Sequence, residues 1–179
     1  MLKAEITKLR EEINQIDEAI TKLLSKRVDC AVKIGKLKDK LTATSEKEKV
    51  KIYDPIREKE ILDHLKAKYP SVSSDGIDVI FRQIISFCRN SAHKSTVCIL
   101  GETSKFDYRQ HLGFFCDYII CSNFHSFVTE MNKNKFNIGV VIGDIAEISI
   151  QNLENSGFEL IDSFESKSNT IQVYTLKNK

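Results

Sequence analysis

The sequence predicts a chain in two parts: an all-α part of three helices, followed by a small α/β part with a mostly parallel sheet. Before residue 94, apolar residues recur at intervals of three and four, which is the spacing of one helix face. After it come short runs rich in β-branched residues, separated by stretches of helical pattern, as in βαβ units. We therefore expect one domain over residues 1–93 and another over residues 94–179.

The composition indicates a soluble, globular chain. It has 179 residues, of which 41% are apolar and 29% charged, and this excludes collagen, low-complexity disorder and a disulfide scaffold. No run approaches the ~18–20 apolar residues of a membrane span, and the N-terminus is charged from Lys3 without an apolar signal core. We expect a cytoplasmic protein that does not bind a membrane.

The five cysteines are an odd number without a Cys-x-x-Cys pair, so we expect reduced thiols in the core. Cys116, Cys121 and His125 are irregularly spaced for a metal site, and structural thiols are the better interpretation. No metal or cofactor is predicted.

The formal net charge of +2 is too small to indicate a nucleic-acid partner, but it is unevenly distributed. Residues 1–93 carry 19 Lys and Arg against 15 Asp and Glu, whereas residues 94–179 carry 8 against 10. The mildly basic first half favours a small anionic partner.

The first helix carries a regular apolar seam, with steps of four and three residues that are typical of a heptad. Such a seam requires a partner helix. Arg27 continues the same step at a core position. Because an isolated buried charge costs several kcal/mol, Arg27 needs a partner or a ligand. The seam consists of Leu2, Ile6, Leu9, Ile13, Ile16, Ile20 and Leu23.

The second helix is predicted to begin at Asp54-Pro55, an N-cap followed by a proline at the first helical position, and to end before Pro70. Glu58 falls on its apolar face, with Ile61, Leu62, Leu65 and Tyr69. The segment 39–53 before it is predicted as a loop with a helical piece.

The third helix is predicted over residues 77–93, after the capping turn Ser73 to Gly76. In the second half, the predicted strands are 97–100, 118–120, 138–142, 158–164 and 170–176, and the predicted helices are 106–113, 124–134 and 145–156.

Three basic residues on the first helix differ in position. Arg27 and Lys38 are 11 residues apart, so they share one face with a rise of roughly 16 Å between them. Arg10 lies ~25 Å before Arg27 and about 100° round the helix, too far to serve the same small ligand within one chain. Antiparallel pairing of two chains would bring Arg10 of one towards the Arg27 face of the other. Alternatively, these residues are surface charges, or Arg27 forms a structural ion pair with Glu58.

Five segments together resemble the all-helical (AroQ-type) chorismate mutase family over about residues 5–93. They are Leu9 to Ile13, Leu23 to Arg27, Val32 to Lys38, Ile52 to Ile61 and Phe81 to Ser86. The resemblance implies a three-helix protomer whose first helix is exchanged with a second chain, giving a homodimer with two sites.

The resemblance also implies the reaction, the rearrangement of chorismate to prephenate in Phe and Tyr biosynthesis, which needs no metal or cofactor. Lys38, Arg27 and Glu58 would be the catalytic residues. The implied contacts are the partner's Arg10, Arg27 and Arg57 on the substrate carboxylates, Lys38 on carboxylate and ether oxygen, Asp54 and Glu58 on the hydroxyl side, and Cys88 where the family commonly has Ser.

The chain departs from the family pattern at two further places. Ala92 stands where the family has a Gln or Glu that donates to the ether oxygen, and His93 is its neighbour. The segment between Lys38 and Asp54 is about seven residues longer than usual. A degenerate mutase dimer that senses a metabolite or scaffolds another enzyme is therefore the alternative function.

The second half faintly resembles the first lobe of a prephenate dehydratase domain, in Val97 to Glu102, Ser126-Phe127 and Ile138 to Ile142. That enzyme works in a cleft between two lobes, and its Thr-Arg-Phe motif is absent from this sequence. We expect a remnant without dehydratase activity; the alternative is a small α/β domain that packs on the helices or binds a ligand or partner.

Overall fold

The first half of the chain is helical and the second half contains a five-stranded sheet. The computed structural model describes residues 1–44, 53–101, 103, 108–143, 150–166 and 169–177. The helices are α1 (Leu2–Thr44), α2 (Pro55–Lys68), α3 (Ser74–Ala92), α4 (Tyr108–Leu112), α5 (Phe124–Asn132) and α6 (Ile150–Asn155). The strands are β1 (Thr96–Gly101), β2 (Asp117–Cys121), β3 (Ile138–Ile142), β4 (Phe158–Ser166) and β5 (Asn169–Leu176).

The sheet has the strand order β2-β1-β3-β5-β4. β1 pairs in parallel with β2 and β3, whereas β5 pairs antiparallel with β3 and β4. The predicted fold class is confirmed, with the parallel pairing confined to β2, β1 and β3. β4 ends at Ser166 and β5 begins at Asn169, and these two strands pair antiparallel.

α1 presents two different apolar faces. The predicted seam lies on one of them, and its seven residues are 49–76% exposed in the single chain. The other face packs on α3 through Leu24, Val28, Ala31 and the buried Gly35. Arg27 was expected in the core of the seam; it lies half-buried at the border between the faces, because α3 packs one position away from the seam.

The start of the predicted 39–53 loop is wrong, since α1 continues to Thr44. Residues 45–52 lie outside the described residues, and so does the greater part of that prediction.

Capping residues fix the ends of α2 and α3. The Asp54 side chain accepts a hydrogen bond from the Arg57 amide at 3.0 Å, with Pro55 in the first turn, and α2 ends at Lys68 as predicted. The Ser73 hydroxyl accepts from the Gly76 amide at 3.0 Å. This cap starts α3 at Ser74, three residues before the predicted beginning, because the turn itself is helical.

The sheet is covered on both faces. α5 and α6 cover one face, where Phe127, Met131 and Leu153 are fully buried. On the other face, the core includes Leu112 and also Tyr53, which precedes α2 and is 1% exposed. The helical part and the sheet part therefore share buried contacts, and the division at residue 93 stays a prediction.

All five cysteines are free thiols. Four are buried as expected, but Cys30 is exposed, because it lies on the uncovered face of α1. Among the described residues, no helix combines the length and hydropathy needed to cross a bilayer. No three His, Cys, Asp or Glu side chains come together as a metal site in the described ranges.

Candidate active site

The first turn of α2 carries three of the predicted site residues. Asp54 uses a carboxylate oxygen to cap the helix. Arg57 is exposed and forms an ion pair with Glu60, with 2.9 Å between Nη1 and Oε2. Glu58 points the other way and is buried, at 9% exposure. This turn therefore presents two solvent-facing polar side chains and one buried carboxylate.

The partner of Glu58 is Arg89 on α3. Its Nη1 donates to Glu58 Oε1 at 2.5 Å, and its Nη2 donates to the backbone carbonyl of Leu112, at the end of α4, at 2.6 Å. The guanidinium also lies 5.0 Å from the centre of the Tyr53 ring, as in a cation–π contact. The structure thus joins α2, α3 and α4 through one buried guanidinium.

The alternative of an Arg27–Glu58 ion pair is wrong. Glu58 faces the side of α3 that carries Arg89, whereas Arg27 approaches α3 from α1 and its Nη1 donates to the Ile84 carbonyl at 3.5 Å. The two charges therefore reach α3 from different helices and have different partners.

Burial raises the pKa of Glu58, while the charges of Arg89 and Arg82 and the Arg89 hydrogen bond lower it. The Asp54 carboxylate adds a smaller rise, and the net shift is upward. Burial also raises the pKa of Tyr53, which keeps its hydroxyl neutral. The charge of Glu58 therefore depends on the guanidinium groups of α3.

The contact between α1 and α3 holds a second group of predicted site residues. Lys38 is half-buried, like Arg27, and Cys88 is 2% exposed. The two helices approach closely at Gly35, where an added Cβ would lie 3.2 Å from the Cβ of Ala92 and 3.0 Å from Nε2 of His93. Ala92 thus faces α1 one turn before Lys38.

Arg10 lies on the same uninterrupted helix as Arg27 and is exposed. Its separation from Arg27 is therefore the ~25 Å of a continuous helix. Within one chain, the structure does not bring Arg10 to Arg27.

A cavity of about 390 Å³ lies beside Glu58, between the two helices α2 and α3 and the sheet part. Its titratable lining residues include Arg82, His111 and Asp162, and neither Arg27 nor Lys38 is among the described residues that line it. Burial, followed by the charges of Arg82 and Arg89, lowers the pKa of His111 to about 4, so this imidazole is neutral near pH 7. It lies against the Phe164 ring, with 4.1 Å between ring centres.

Sequence reasoning missed Arg89. A signal was present, because Arg89 follows Ile85 by four residues and so continues the apolar stripe of α3. A charge on such a stripe indicates a buried partner, as Glu58 does on α2.

These features define a class: a helical domain with an exposed apolar seam and a row of cations on its longest helix, followed by a small α/β domain. Residues 9–93 match the sequence model of the Chorismate mutase type II family. Over this segment the chain is therefore similar to chorismate mutase type II domains, as the resemblance implied.

A curated relative extends the similarity beyond that segment. The bifunctional chorismate mutase/prephenate dehydratase of Aquifex aeolicus (strain VF5) is 32% identical over 145 residues, which cover 76% of this chain and 38% of the relative. The chain thus spans about two fifths of that relative's length. Three quarters of the chain cannot fit within residues 1–93, so the similarity includes part of the sheet. No solved structure matches the chain.

Proposed function

We propose that this chain is a chorismate mutase, which rearranges chorismate to prephenate in the biosynthesis of Phe and Tyr. The observation that carries the proposal is the family match of residues 9–93. The matched segment includes Arg10, Arg27 and Lys38, the basic residues that the resemblance assigns to the substrate. The relative from Aquifex aeolicus, which bears the mutase activity in its name, supports it.

The rearrangement requires little covalent chemistry from the protein. One C–O bond breaks while one C–C bond forms within the same molecule, so no nucleophile, metal or cofactor is required. The protein lowers the barrier by holding the reactive conformer and by placing positive charge where the ether oxygen becomes negative.

Basic side chains bind the anionic parts of the substrate in this proposal. The partner's Arg10, Arg27 and Arg57 hold the two carboxylates, because a guanidinium binds a carboxylate through two hydrogen bonds. Lys38 donates to a carboxylate and to the ether oxygen. The exposed ion pair of Arg57 with Glu60 supports this role, since such a pair is weak and can be exchanged for a substrate carboxylate.

Asp54 and Glu58 lie on the side of the substrate hydroxyl, and Cys88 contributes to the wall of the site. Lys38, Arg27 and Glu58 are the catalytic residues of the proposal. The half-buried positions of Arg27 and Lys38 on one side of α1 support a shared ligand.

The active form is a homodimer in which the first helix is exchanged. The exposed seam on α1 supports this proposal, because seven large apolar side chains remain uncovered in the single chain. The distance between Arg10 and Arg27 supports it as well, since only a second chain brings such residues together. Five free thiols fit a reducing cytoplasm.

The domain over residues 94–179 is, in this proposal, a remnant lobe without dehydratase activity. A second candidate function is a degenerate mutase dimer that senses a metabolite or scaffolds another enzyme. Ala92 favours this candidate, because it removes a donor to the ether oxygen.

The test is the disappearance of chorismate, followed by its absorbance with purified protein, with prephenate identified as the product. Lys38→Ala should lower kcat by about 10²–10³-fold, the usual cost of one donor to a developing charge. Lys36→Ala, at an exposed position of the same helix, is the matched control. Chorismate binding without turnover would favour the second candidate instead.

A further inference from the structure

Arg89 joins the proposed mutase site to the sheet part of the chain. Its two Nη groups donate in different directions, one to Glu58 on α2 and the other to the Leu112 carbonyl on α4. One face of the guanidinium lies over the Tyr53 ring. No other described side chain makes contacts of this kind with both halves of the chain and with a proposed catalytic carboxylate.

The burial of this group fixes its orientation. Arg89 is 7% exposed, and its Nε has no hydrogen-bond partner among the described residues. The two Nη hydrogen bonds, the Tyr53 contact and the neighbouring Cys116 side chain therefore determine where the planar group lies. Arg89 uses Oε1 of Glu58, and a carboxylate has a second oxygen to accept a hydrogen bond from the substrate hydroxyl.

We infer that Arg89 is a positioning residue for Glu58: anchored by the Leu112 carbonyl and by Tyr53, it holds the Glu58 carboxylate charged and oriented as an acceptor in the mutase site. This inference rests on the proposed mutase activity. Through the Leu112 carbonyl, the sheet part contributes to the chemistry of the helical part.

The groups that face Glu58 determine what the loss of Arg89 would do. Arg89 and Arg82 approach from α3, Asp54 from the start of α2, and His111 and Asp162 border the same cavity from the sheet part. Burial is the largest influence and raises the pKa of Glu58. Arg89 contributes both a charge and a hydrogen bond that lower this pKa, so without Arg89 the pKa of Glu58 moves further upward and the side chain becomes protonated at higher pH.

The test compares Arg89→Met with Arg89→Lys in the full-length chain. Arg89→Met should lower kcat by about 10–100-fold, as the loss of a residue that orients a catalytic group commonly does. It should also move the acidic limb of the kcat profile to higher pH, so that part of the loss is recovered in alkaline buffer. Arg89→Lys should restore most of the pH profile, because it returns the charge, but less of kcat, since a single Nζ cannot span Glu58 and the Leu112 carbonyl as the fork does.

A second readout does not depend on activity. Titration of isotope-labelled glutamate side chains by NMR, with the Glu58 signal assigned through Glu58→Gln, reports the protonation of this carboxyl group directly. The Glu58 signal should titrate at higher pH in Arg89→Met than in the wild type. Arg82→Met, which removes a charge on the same helix but no hydrogen bond to Glu58, should shift it less.

The outcomes separate this inference from the proposed function. A wild-type chain without mutase activity would overturn the proposed function, while the titration still tests the link between Arg89 and Glu58. An unchanged Glu58 titration in a folded Arg89→Met chain would overturn the inference. If Arg89→Met does not fold, Arg89→Lys provides the test. The inference would then be overturned if the Glu58 titration is unchanged in Arg89→Lys and kcat falls no more than in the Lys36→Ala control.

Discussion

The helical and sheet parts of the chain differ in how far their apolar side chains are buried. In the sheet part, residues Val97 to Leu100 of β1 are at most 5% exposed. In the helical part, the seven seam residues of α1 are 49–76% exposed. β1 thus finds its apolar contacts within one chain, whereas the seam of the long helix stays uncovered in the single chain.

This difference in burial indicates which part of the chain favours association with a second chain. Complete burial of one Leu or Ile side chain is worth about 1.5–3 kcal/mol, so seven of them supply a large driving force for association. The heptad spacing directs that force into a helix–helix interface. In the proposed dimer, the helical part depends on a second chain to cover its seam.

Charges in the middle of the seam should have the largest effect. We expect the Ile13→Glu/Ile20→Glu double variant to raise the dimer dissociation constant by more than about 100-fold, because each substitution removes a buried side chain and introduces a charge at the interface. Light scattering coupled to size-exclusion chromatography measures the mass.

The matched control is Gln15→Glu, which adds one charge to an exposed, off-seam position of the same helix. A double variant that remains a dimer at the same protein concentration as the control would contradict the role given to the seam.

Tyr53 connects the two halves, and its removal should have the next largest effect. We expect Tyr53→Ala to lower the free energy of unfolding by about 3–5 kcal/mol, since the side chain is 1% exposed within the core of the sheet. Tyr69→Ala removes the same atoms from a side chain that is 47% exposed, and it should cost less than about 1 kcal/mol. Urea unfolding measures both; equal losses would show that the halves do not share a core.

Much of the fold could be predicted because its signals are local. The heptad seam, the Asp54-Pro55 start of α2 and the β-branched runs depend on residues near one another in sequence. The pairing of β5 between β3 and β4 could not be predicted, because strand order depends on contacts between distant segments.

The candidate site likewise contains residues that the sequence could predict and contacts that it could not. The family motifs predict site roles for Arg27, Lys38 and Glu58. No local pattern shows which of the two arginines, Arg27 or Arg89, forms the ion pair with the buried Glu58. That choice depends on how α2 and α4 pack against α3, and it became visible only through the contacts of Arg89.

Exchange of the first helix can be tested by mixing two inactive chains. With the first helix exchanged, Arg10→Ala and Arg27→Ala would each damage every site of their own homodimer, but a mixed dimer would have one site with both arginines. After co-refolding, about a quarter of all sites should be intact, because half of the dimers are mixed and half of their sites are complete. Chorismate turnover measures the recovery. A mixture as inactive as its parents, while the wild type refolds normally, would argue against sites shared between chains.

The close approach at Gly35 should produce a smaller effect. An added Cβ would meet His93 Nε2 and the Ala92 Cβ, so overpacking of about 1–3 kcal/mol opposes the ~1 kcal/mol that alanine gains in a helix. We expect Gly35→Ala to destabilise the chain by about 1 kcal/mol in thermal unfolding. Adding His93→Ala should recover part of that loss if the imidazole is the obstacle, and the double-mutant cycle reports this coupling.

Substitution of Ala92 should have the smallest effect, and whether it raises or lowers kcat is informative. A donor restored at position 92 acts on the charge that develops on the ether oxygen, so Ala92→Gln should raise kcat and leave KM nearly unchanged. Ala92 faces Gly35, where the helices are close, so the longer side chain competes with helix packing. We therefore expect a gain in kcat of about three- to tenfold rather than the full value of such a donor.

His93→Ala is the control, because the His93 ring stacks on Phe136 at 4.3 Å and its Nε2 lies 3.7 Å from Asp39. If Ala92→Gln has no effect or harms activity while His93→Ala abolishes it, then the sequence register is off by one and His93 is the working donor.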